Sequence, residues 1–532
     1  MNIKATLILF LCILFYGCQE KTSISTLPLI PYPNQIELGS DFFKLNSSIS
    51  IQSTPELQKT AEWLQKVIRD KLNIEVNINQ KKKSSGTITL SIEPDTVSNA
   101  YTLQINKRNI KISGSDETGV FYAIQTLTQL LPTETTSDAK IPTLTIKDYP
   151  RFSWRGMHLD CCRHFFSVKE VKQYIDLLAM YKFNTFHWHL TDDQGWRIEV
   201  PGYPLLTQIS SQRKETLIGR PWESNKYDGI PYGGYYTTQD MKDIVAYAAE
   251  RHITVVPEIE MPGHSMAALA AYPNLSCTGK KIDVATTWGV FDDVFCAGND
   301  DVFDLLEDVL TEVMEIFPSE YIHIGGDECP KTHWKKCPKC QKRIKDEKLK
   351  NEEELQSYFI TRIGKFVNSK GRKIIGWDEI LDGGIVPNAA IMSWQGTKGG
   401  VKAARSNHFA VMSPTKPCYI DYYQHKPVEE EPLSIGGYNP VDSVYALNPV
   451  PEELIPEEAK WIMGAQCNLW TEYIKTYSHV EYMALPRMAA ISEVVWTNLE
   501  NKDFNHFIDR LKIHANVLDK LGINYCRHFL DN

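Results

Sequence analysis

Tyr321-Ile322-His323-Ile324-Gly325-Gly326-Asp327-Glu328 is an apolar run stopped by two glycines and followed at once by two adjacent acids. Tyr321 to Ile324 is strand-like and too short for a helix. Gly325 and Gly326 permit a sharp turn and a close approach of backbone to a ligand. Upstream, Val302 to Phe317 carries apolar residues at helical spacing, and downstream Glu352 to Asn368 does the same. Helix, short apolar strand, acidic turn, helix is the unit from which parallel α/β sheets are built.

The same unit recurs outward from this point. Strands are expected at Trp154 to Leu159, Phe183 to Leu190, Ile253 to Ile259, Tyr321 to Ile324, Lys373 to Gly376, Ala389 to Ser393, Phe409 to Met412 and Ile462 to Leu469. Helices are expected at Val168 to Tyr181, Thr238 to Arg251, Val302 to Phe317, Glu352 to Asn368 and His479 to Val495, with loop or weak helix between strands five and six and between seven and eight. Eight such strands imply an α/β chain folded as a (β/α)8 TIM barrel over residues 151–525. Residues 27–150 differ and read as a smaller α+β domain. There a helix opens at Thr54-Pro55, with Thr as cap and Pro in the first turn. Thr87 to Ile92 and Tyr101 to Ile112 alternate as strands, Lys81 to Gly86 is a polar turn, and Gly119 to Leu131 is amphipathic.

At roughly 150 residues per domain, 532 residues allow two to four domains. A net charge of −9 without a long basic run argues against nucleic acid or an anionic membrane as partner. Lys4 followed by apolar Ala5 to Tyr16 reads as an export signal, too short to span a membrane comfortably. It ends at Gly17-Cys18 and resembles a bacterial lipoprotein signal over residues 1–18, with Cys18 as lipid anchor in the periplasm or at the cell surface. Phe15 and Tyr16 are bulky for that signal, which leaves plain secretion as the alternative. Export permits disulfides, and Cys277 with Cys296, which flank one loop, is the expected pair. Cys329, His333, Cys337 and Cys340 offer a weaker metal-knuckle reading, with only Cys337-Pro-Lys-Cys340 at two-residue spacing. Structural cysteines are favoured, and neither a metal nor a cofactor is expected.

A barrel places its active residues just past the C-terminal strand ends. Arg163-His164 follow strand one. His187-Trp188-His189 and Asp192-Asp193 end strand two, Glu258, Glu260 and His264 strand three, and Asp327-Glu328 strand four. Trp377-Asp378-Glu379, Trp394, Tyr419 with Asp421, and Trp470 with Glu472 follow strands five to eight. Carboxylates and tryptophans converging on one rim point to glycoside cleavage, which usually needs two carboxyl groups flanking the scissile bond. Adjacent acids are badly placed to flank a bond, and fit better if one is the acid and the other orients part of the substrate. His187 and His189 share one strand face and read as internal hydrogen-bonding residues; Trp188, Trp196 and Trp334 read as packing or outer-subsite residues.

His323-Ile-Gly-Gly-Asp-Glu328 resembles the signature of family 20 β-N-acetylhexosaminidases. Arg163-His164-Phe165, His187 to Gln194, Pro257 to His264, Gly376 to Glu379, Tyr419-Ile-Asp421, Leu469 to Glu472 and Gly114 to Gly119 match that family in its order. The resemblance implies exo-acting release of terminal β-linked N-acetylhexosamine from a carbohydrate substrate by substrate-assisted catalysis, one of the exceptions to the two-carboxylate rule. It implies that Glu328 is the acid/base, that Asp327 steadies the acetamido group, and that Tyr419 orients it. His264 and Glu260 then form a relay tuning Glu328, although many members carry Asp at the position of Glu260. Arg163, Asp421 and Glu472 bind sugar hydroxyls, Asp192 supports the network, and Trp377, Trp394 and Trp470 wall the pocket. Two competing expectations are a retaining enzyme pairing Glu328 with Glu379 or Glu472, and a sugar-binding protein on a barrel that has lost catalysis.

Overall fold

Alternating apolar and polar residues build a seven-stranded mixed sheet from β1 (Gln35–Leu45), β2 (Ile49–Gln52), β3 (Asn77–Ile78), β4 (Gly86–Ile92), β5 (Tyr101–Ile105), β6 (Asn109–Gly114) and β7 (Ala139–Asp148), in the order β1-β7-β5-β6-β4-β2-β3. The structure is a computed structural model and describes residues 27–79, 86–134, 136 and 138–530. The export signal with Cys18, and residues 81–85 of the polar turn, lie outside the described residues. Tyr101 to Ile112 is not one strand but two, because the Asn106 carboxamide accepts from the N–H groups of Arg108 and Asn109 and turns the chain back. Thr54 precedes a short 3-10 turn at Pro55–Leu57, with the helix proper at Gln58–Leu72; its hydroxyl bonds Glu56 rather than capping. Asp116 does cap the helix Glu117–Leu130, accepting from Gly119 N at 2.8 Å.

The barrel closes as expected. Its strands are β8 (Trp154–Asp160), β9 (Thr185–His189), β10 (Thr254–Glu258), β11 (Tyr321–His323), β12 (Lys373–Trp377), β13 (Ala390–Ser393), β14 (Ala410–Met412) and β15 (Ile462–Cys467). All pairings are parallel, and β15 returns to β8. The strands are buried almost throughout, so their two apolar faces suit a barrel with helices outside and packed side chains within. Capping boxes at Ser167 and Thr237 start the helices Val168–Met180 and Thr238–Ala249. Register brings Asp160, His189, Glu258 and His323 to one level near the C-terminal rim. The helix expected over His479 to Val495 is two, Tyr477–Ala484 and Arg487–Trp496. Pro486 separates them, since it lacks the N–H a helix interior needs and disfavours helical geometry at Leu485. Among the described residues no helix is long and apolar enough to cross a membrane.

The disulfide expected between Cys277 and Cys296 is absent, and all described cysteines are free. Nor do Cys329 and His333 join Cys337 and Cys340. The four sulfurs that converge belong to Cys277, Cys296, Cys337 and Cys340. Adjacency in sequence misled here, because two of these cysteines arrive from a different loop.

Sheet and barrel meet over a buried polar cluster. Asp148, at the end of β7, accepts from Tyr101 Oη at 2.6 Å, from Trp496 Nε1 at 3.0 Å and from Lys182 Nζ at 3.4 Å. Burial pulls the Lys182 ammonium down to about 8, against the opposing charge of Asp148. Removing one partner of a buried pair strands the other. Asp148→Ala should therefore cost about 3–5 kcal/mol in urea unfolding; a loss below about 1 kcal/mol, the worth of an exposed pair, would show that this cluster does not hold the two parts together.

Candidate active site

Glu258 ends β10 with its carboxylate sealed inside the barrel. His323 Nδ1 lies 2.7 Å from it, His187 Nε2 lies 3.1 Å away, Trp377 Nε1 donates at 2.8 Å, and His189 Nδ1 makes a short contact. Burial alone would raise this carboxyl, but the charges of His323, His189 and His187 outweigh it and hold the group well below the ordinary carboxylate range. His187 and His189 are thus internal hydrogen-bonding residues, as their shared strand face predicts.

From this hub a line of contacts runs to the rim. His189 Nε2 reaches Asp192 Oδ2 at 2.8 Å, and Asp192 pairs with Arg163 Nη2 at 2.9 Å. Arg163 also donates to Gln194 Oε1 at 3.0 Å and lies 3.4 Å from Asp160. Burial opposes the Arg163 charge, but Asp192, Asp160 and Glu472 outweigh it and keep the guanidinium protonated. His264 Nδ1 sits 2.9 Å from Asp193 and 3.5 Å from Asp192, while its Nε2 lies 3.5 Å from Glu328 and 3.7 Å from Asp327. Burial disfavours an imidazolium, yet Asp192, Asp193 and Glu328 together raise His264 well above the usual histidine range.

The turn after β11 aims both acids. Gly325 and Gly326 have φ of 63° and 98°, and Glu328 itself adopts φ 41°. A Cβ on Gly325 would lie 1.7 Å from Glu260 Oε2, so any other residue would both displace that carboxylate and strain the backbone. Asp327 is nearly buried, while the Glu328 side chain is 40% exposed. Burial pushes the Asp327 carboxyl up to about 6, with Glu258 and Glu328 adding to it and His264 opposing. The contact with His264 holds Glu328 below its ordinary value, against burial.

A pocket of about 200 Å³ opens above the turn, lined by Arg163, His264, Asp327, Glu328, Trp394, Thr415, Tyr419, Asp421, Tyr422, Ile435, Trp470 and Glu472. Trp394 stacks on Tyr419 with ring centres 6.2 Å apart, and Arg163 lies over Trp470 at 5.0 Å. Burial, with the neighbouring Glu472 charge, raises the Asp421 carboxyl well above its usual range. A second cavity of about 430 Å³ adjoins on the outer side, lined in part by Val290, Lys331, Glu379 and Gln395. Glu328 belongs to both cavities, at their boundary.

Nine of the twelve residues expected at the site line this pocket: Arg163, His264, Asp327, Glu328, Trp394, Tyr419, Asp421, Trp470 and Glu472. Three stand elsewhere. Trp377 is 1% exposed; its Nε1 donates to Glu258, and it packs beneath the pocket in the cluster that Trp394 and Trp470 adjoin, its ring 5.9 Å from that of Trp470. Asp192 lies behind Arg163 and His264 and positions both. Glu260 does not bond His264. Its carboxylate turns toward Gly325, neither oxygen has a hydrogen-bond partner, and burial followed by the charges of Asp327 and Glu258 raises it strongly. Asp193 takes the place expected of Glu260. Its signal was present in the Asp192-Asp193 pair, but adjacency alone does not say which acid faces His264. Asp160 and Gln194, which buttress Arg163, had no distinguishing spacing.

Comparison with known proteins agrees with this geometry. "Glycosyl hydrolase family 20, catalytic domain" matches residues 152–499 and "Glycosyl hydrolase family 20, domain 2" matches residues 26–149. The chain belongs to glycosyl hydrolase family 20 and is a glycoside hydrolase. It is 44% identical to a β-hexosaminidase of Porphyromonas gingivalis over 96% of this chain, spanning 66% of that protein's length. It is 36% identical to a β-hexosaminidase of Vibrio furnissii, over 88% of this chain and 77% of that protein. Among solved structures, an exo-β-N-acetylglucosaminidase of Vibrio harveyi in complex with N-acetylglucosamine superposes with a TM-score of 0.83 at 32% identity, over 94% of this chain and 78% of that one.

Gly325→Ala tests the turn. The added methyl would force the buried Glu260 carboxylate aside, and the positive φ adds about 1–3 kcal/mol of strain. The variant should remain folded by circular dichroism, melt lower than the parent, and lose at least about 100-fold in kcat, the loss a misplaced reacting group entails. Wild-type kinetics would show that the acids do not depend on this turn.

Proposed function

We propose that the chain is an exo-acting β-N-acetylhexosaminidase that releases terminal non-reducing β-linked N-acetylhexosamine with retention, using the substrate's own acetamido oxygen as nucleophile. One observation carries this reading: Asp327 and Glu328 enter the pocket from a single turn, with Tyr419 as a further pocket wall. Two acids so close do not bracket a glycosidic bond, but they do bracket an acetamido group and the departing oxygen beside it.

The steps follow from position. Glu328, shared by the pocket and the outer groove, is held ionised by His264 in the free enzyme; it takes up a proton as bound substrate displaces that contact, and gives it to the leaving oxygen as the bond to the anomeric carbon breaks. The acetamido oxygen bonds that carbon from the opposite face, forming an oxazolinium. Asp327 accepts the acetamido N–H and balances the positive charge, and the Tyr419 hydroxyl donates to the acetamido oxygen and aims it. Water, deprotonated by Glu328, then opens the ring on the face the leaving group vacated. Arg163, Asp421 and Glu472 bind hydroxyls, and Trp394 and Trp470 provide flat apolar faces. The alternative nucleophile Glu379 is poorly suited. Trp394 Nε1 and Gln395 Nε2 donate to it at 2.9 and 2.8 Å, and burial, with the Asp327 charge, pushes it up to about 8, leaving it largely neutral near pH 7. The N-acetylglucosamine bound by the V. harveyi protein supports the same substrate class here.

Chromogenic β-N-acetylglucosaminide and β-glucoside provide the test. Only the former should turn over. Glu328→Gln should lose about 10²–10⁴-fold in kcat, with a larger loss for a sugar leaving group than for a nitrophenolate, which needs no proton. Asp327→Asn should lose a comparable factor. In the parent, kcat/KM should fall as pH drops through about 6, where Asp327 gains the proton that ends its role as acceptor. Fast β-glucoside cleavage, or a fully active Glu328→Gln, would sink the reading.

A further inference from the structure

Four cysteines from separate segments meet beside the barrel mouth. Cys277 follows the turn Pro273–Leu275, Cys296 lies across from it next to the Ser276–Phe295 bridge, and Cys337 and Cys340 frame the start of the helix Pro338–Asp346. Cys277 and Cys340 sulfurs are 3.7 Å apart, Cys296 and Cys337 3.7 Å, Cys296 and Cys340 3.6 Å, and all four lie within 4.8 Å of one another. A disulfide requires about 2.0 Å. A tetrahedral zinc with Zn–S bonds of about 2.3 Å sets its sulfurs about 3.8 Å apart, close to the spacing seen.

The backbone fits the same occupant. Cys337-Pro-Lys-Cys340 has the two-residue spacing of a zinc knuckle. A Cβ on Gly298 would lie 2.2 Å from the Lys339 carbonyl carbon, so glycine is what lets the Cys296 turn seat against the knuckle.

We propose that Cys277, Cys296, Cys337 and Cys340 bind one structural zinc ion as four thiolates. Each thiol releases its proton on binding, and no oxidant is required. Four protein ligands leave no open position, which makes the ion structural and not catalytic. Its place gives it a task. Phe295 N–H donates to Pro262 O at 3.0 Å, and Trp334 Nε1 donates to Phe295 O at 2.9 Å. The ion therefore staples the loop after β10, which carries His264, to the loop after β11, which carries Asp327 and Glu328. The proposal stands apart from the hydrolytic chemistry above.

Metal analysis of the purified full chain should find about one zinc per chain, and zinc-edge X-ray absorption should show four sulfurs at about 2.3 Å. Cys340→Ser should lose the zinc and melt earlier, whereas Cys526→Ser, outside the cluster, should keep it. If Cys340→Ser fails to fold, the metal content and absorption spectrum of the parent still decide. A metal-free chain whose intact mass is short by four hydrogens, as two disulfides require, would overturn the proposal, and so would iron in the site.

Discussion

The buried carboxylate of Glu258 is the constraint on which the site depends. An isolated carboxylate at the centre of a barrel would cost several kcal/mol in lost hydration, so it persists only with polar partners around it. Trp377 Nε1 donates to it and His189 makes a short contact, while His187 and His323 lie within 3.1 Å; they face inward from β9, β11 and, one strand further on, β12. Strand alternation makes this arrangement available: His187 and His189 are two apart and face the same way. The barrel's register then sets His189, Glu258 and His323 at one height. Shifting any of these strands by one residue would move a partner out of the interior.

That hub also fixes the rim. His189 spends one nitrogen on Glu258 and the other on Asp192. Asp192 then has one direction left in which to hold Arg163 and approach His264. Alternating acid and base from the core outward means that each group is oriented by the one beneath it. His264 is raised chiefly by Asp192, with Asp193 and Glu328 adding, and its contact in turn lowers Glu328. Preorganised charge of this kind needs no rearrangement when the transition state forms.

Much of this was legible in the chain itself. The eight strands and the polar cluster at each C-terminal end follow from periodicity and from the rule that barrels place chemistry there. What escaped was orientation within a pair or a rim. Asp192 and Asp193 are both acidic and adjacent, and only the fold decides that Asp193 takes His264. Glu260 follows a strand end, and its carboxylate packs on Gly325 instead of reaching His264. Trp377 ends a strand, where a ring can point either to the mouth or to the interior; the unmet need of Glu258 for a donor draws it inward. The cysteine cluster was hidden for a different reason. Its members are spread from Cys277 to Cys340, and local spacing favoured the wrong set.

His264 and Glu328 have φ of 46° and 41°, in the left-handed region that non-glycine residues seldom adopt. Strained backbone of this kind costs about 1–3 kcal/mol per residue and persists only where the surroundings over-determine it. Here the surroundings are identifiable. Behind His264 stand Asp193 and Asp192; behind Glu328 stand two glycines and the packed Glu260 carboxylate. The two strained residues sit in successive barrel loops, facing each other at 3.5 Å. Relaxing either backbone would turn its side chain away from the other. The left-handed turns are therefore what the closed barrel spends stability on, and the contact between an imidazolium and the exposed acid at the pocket boundary is what that stability secures.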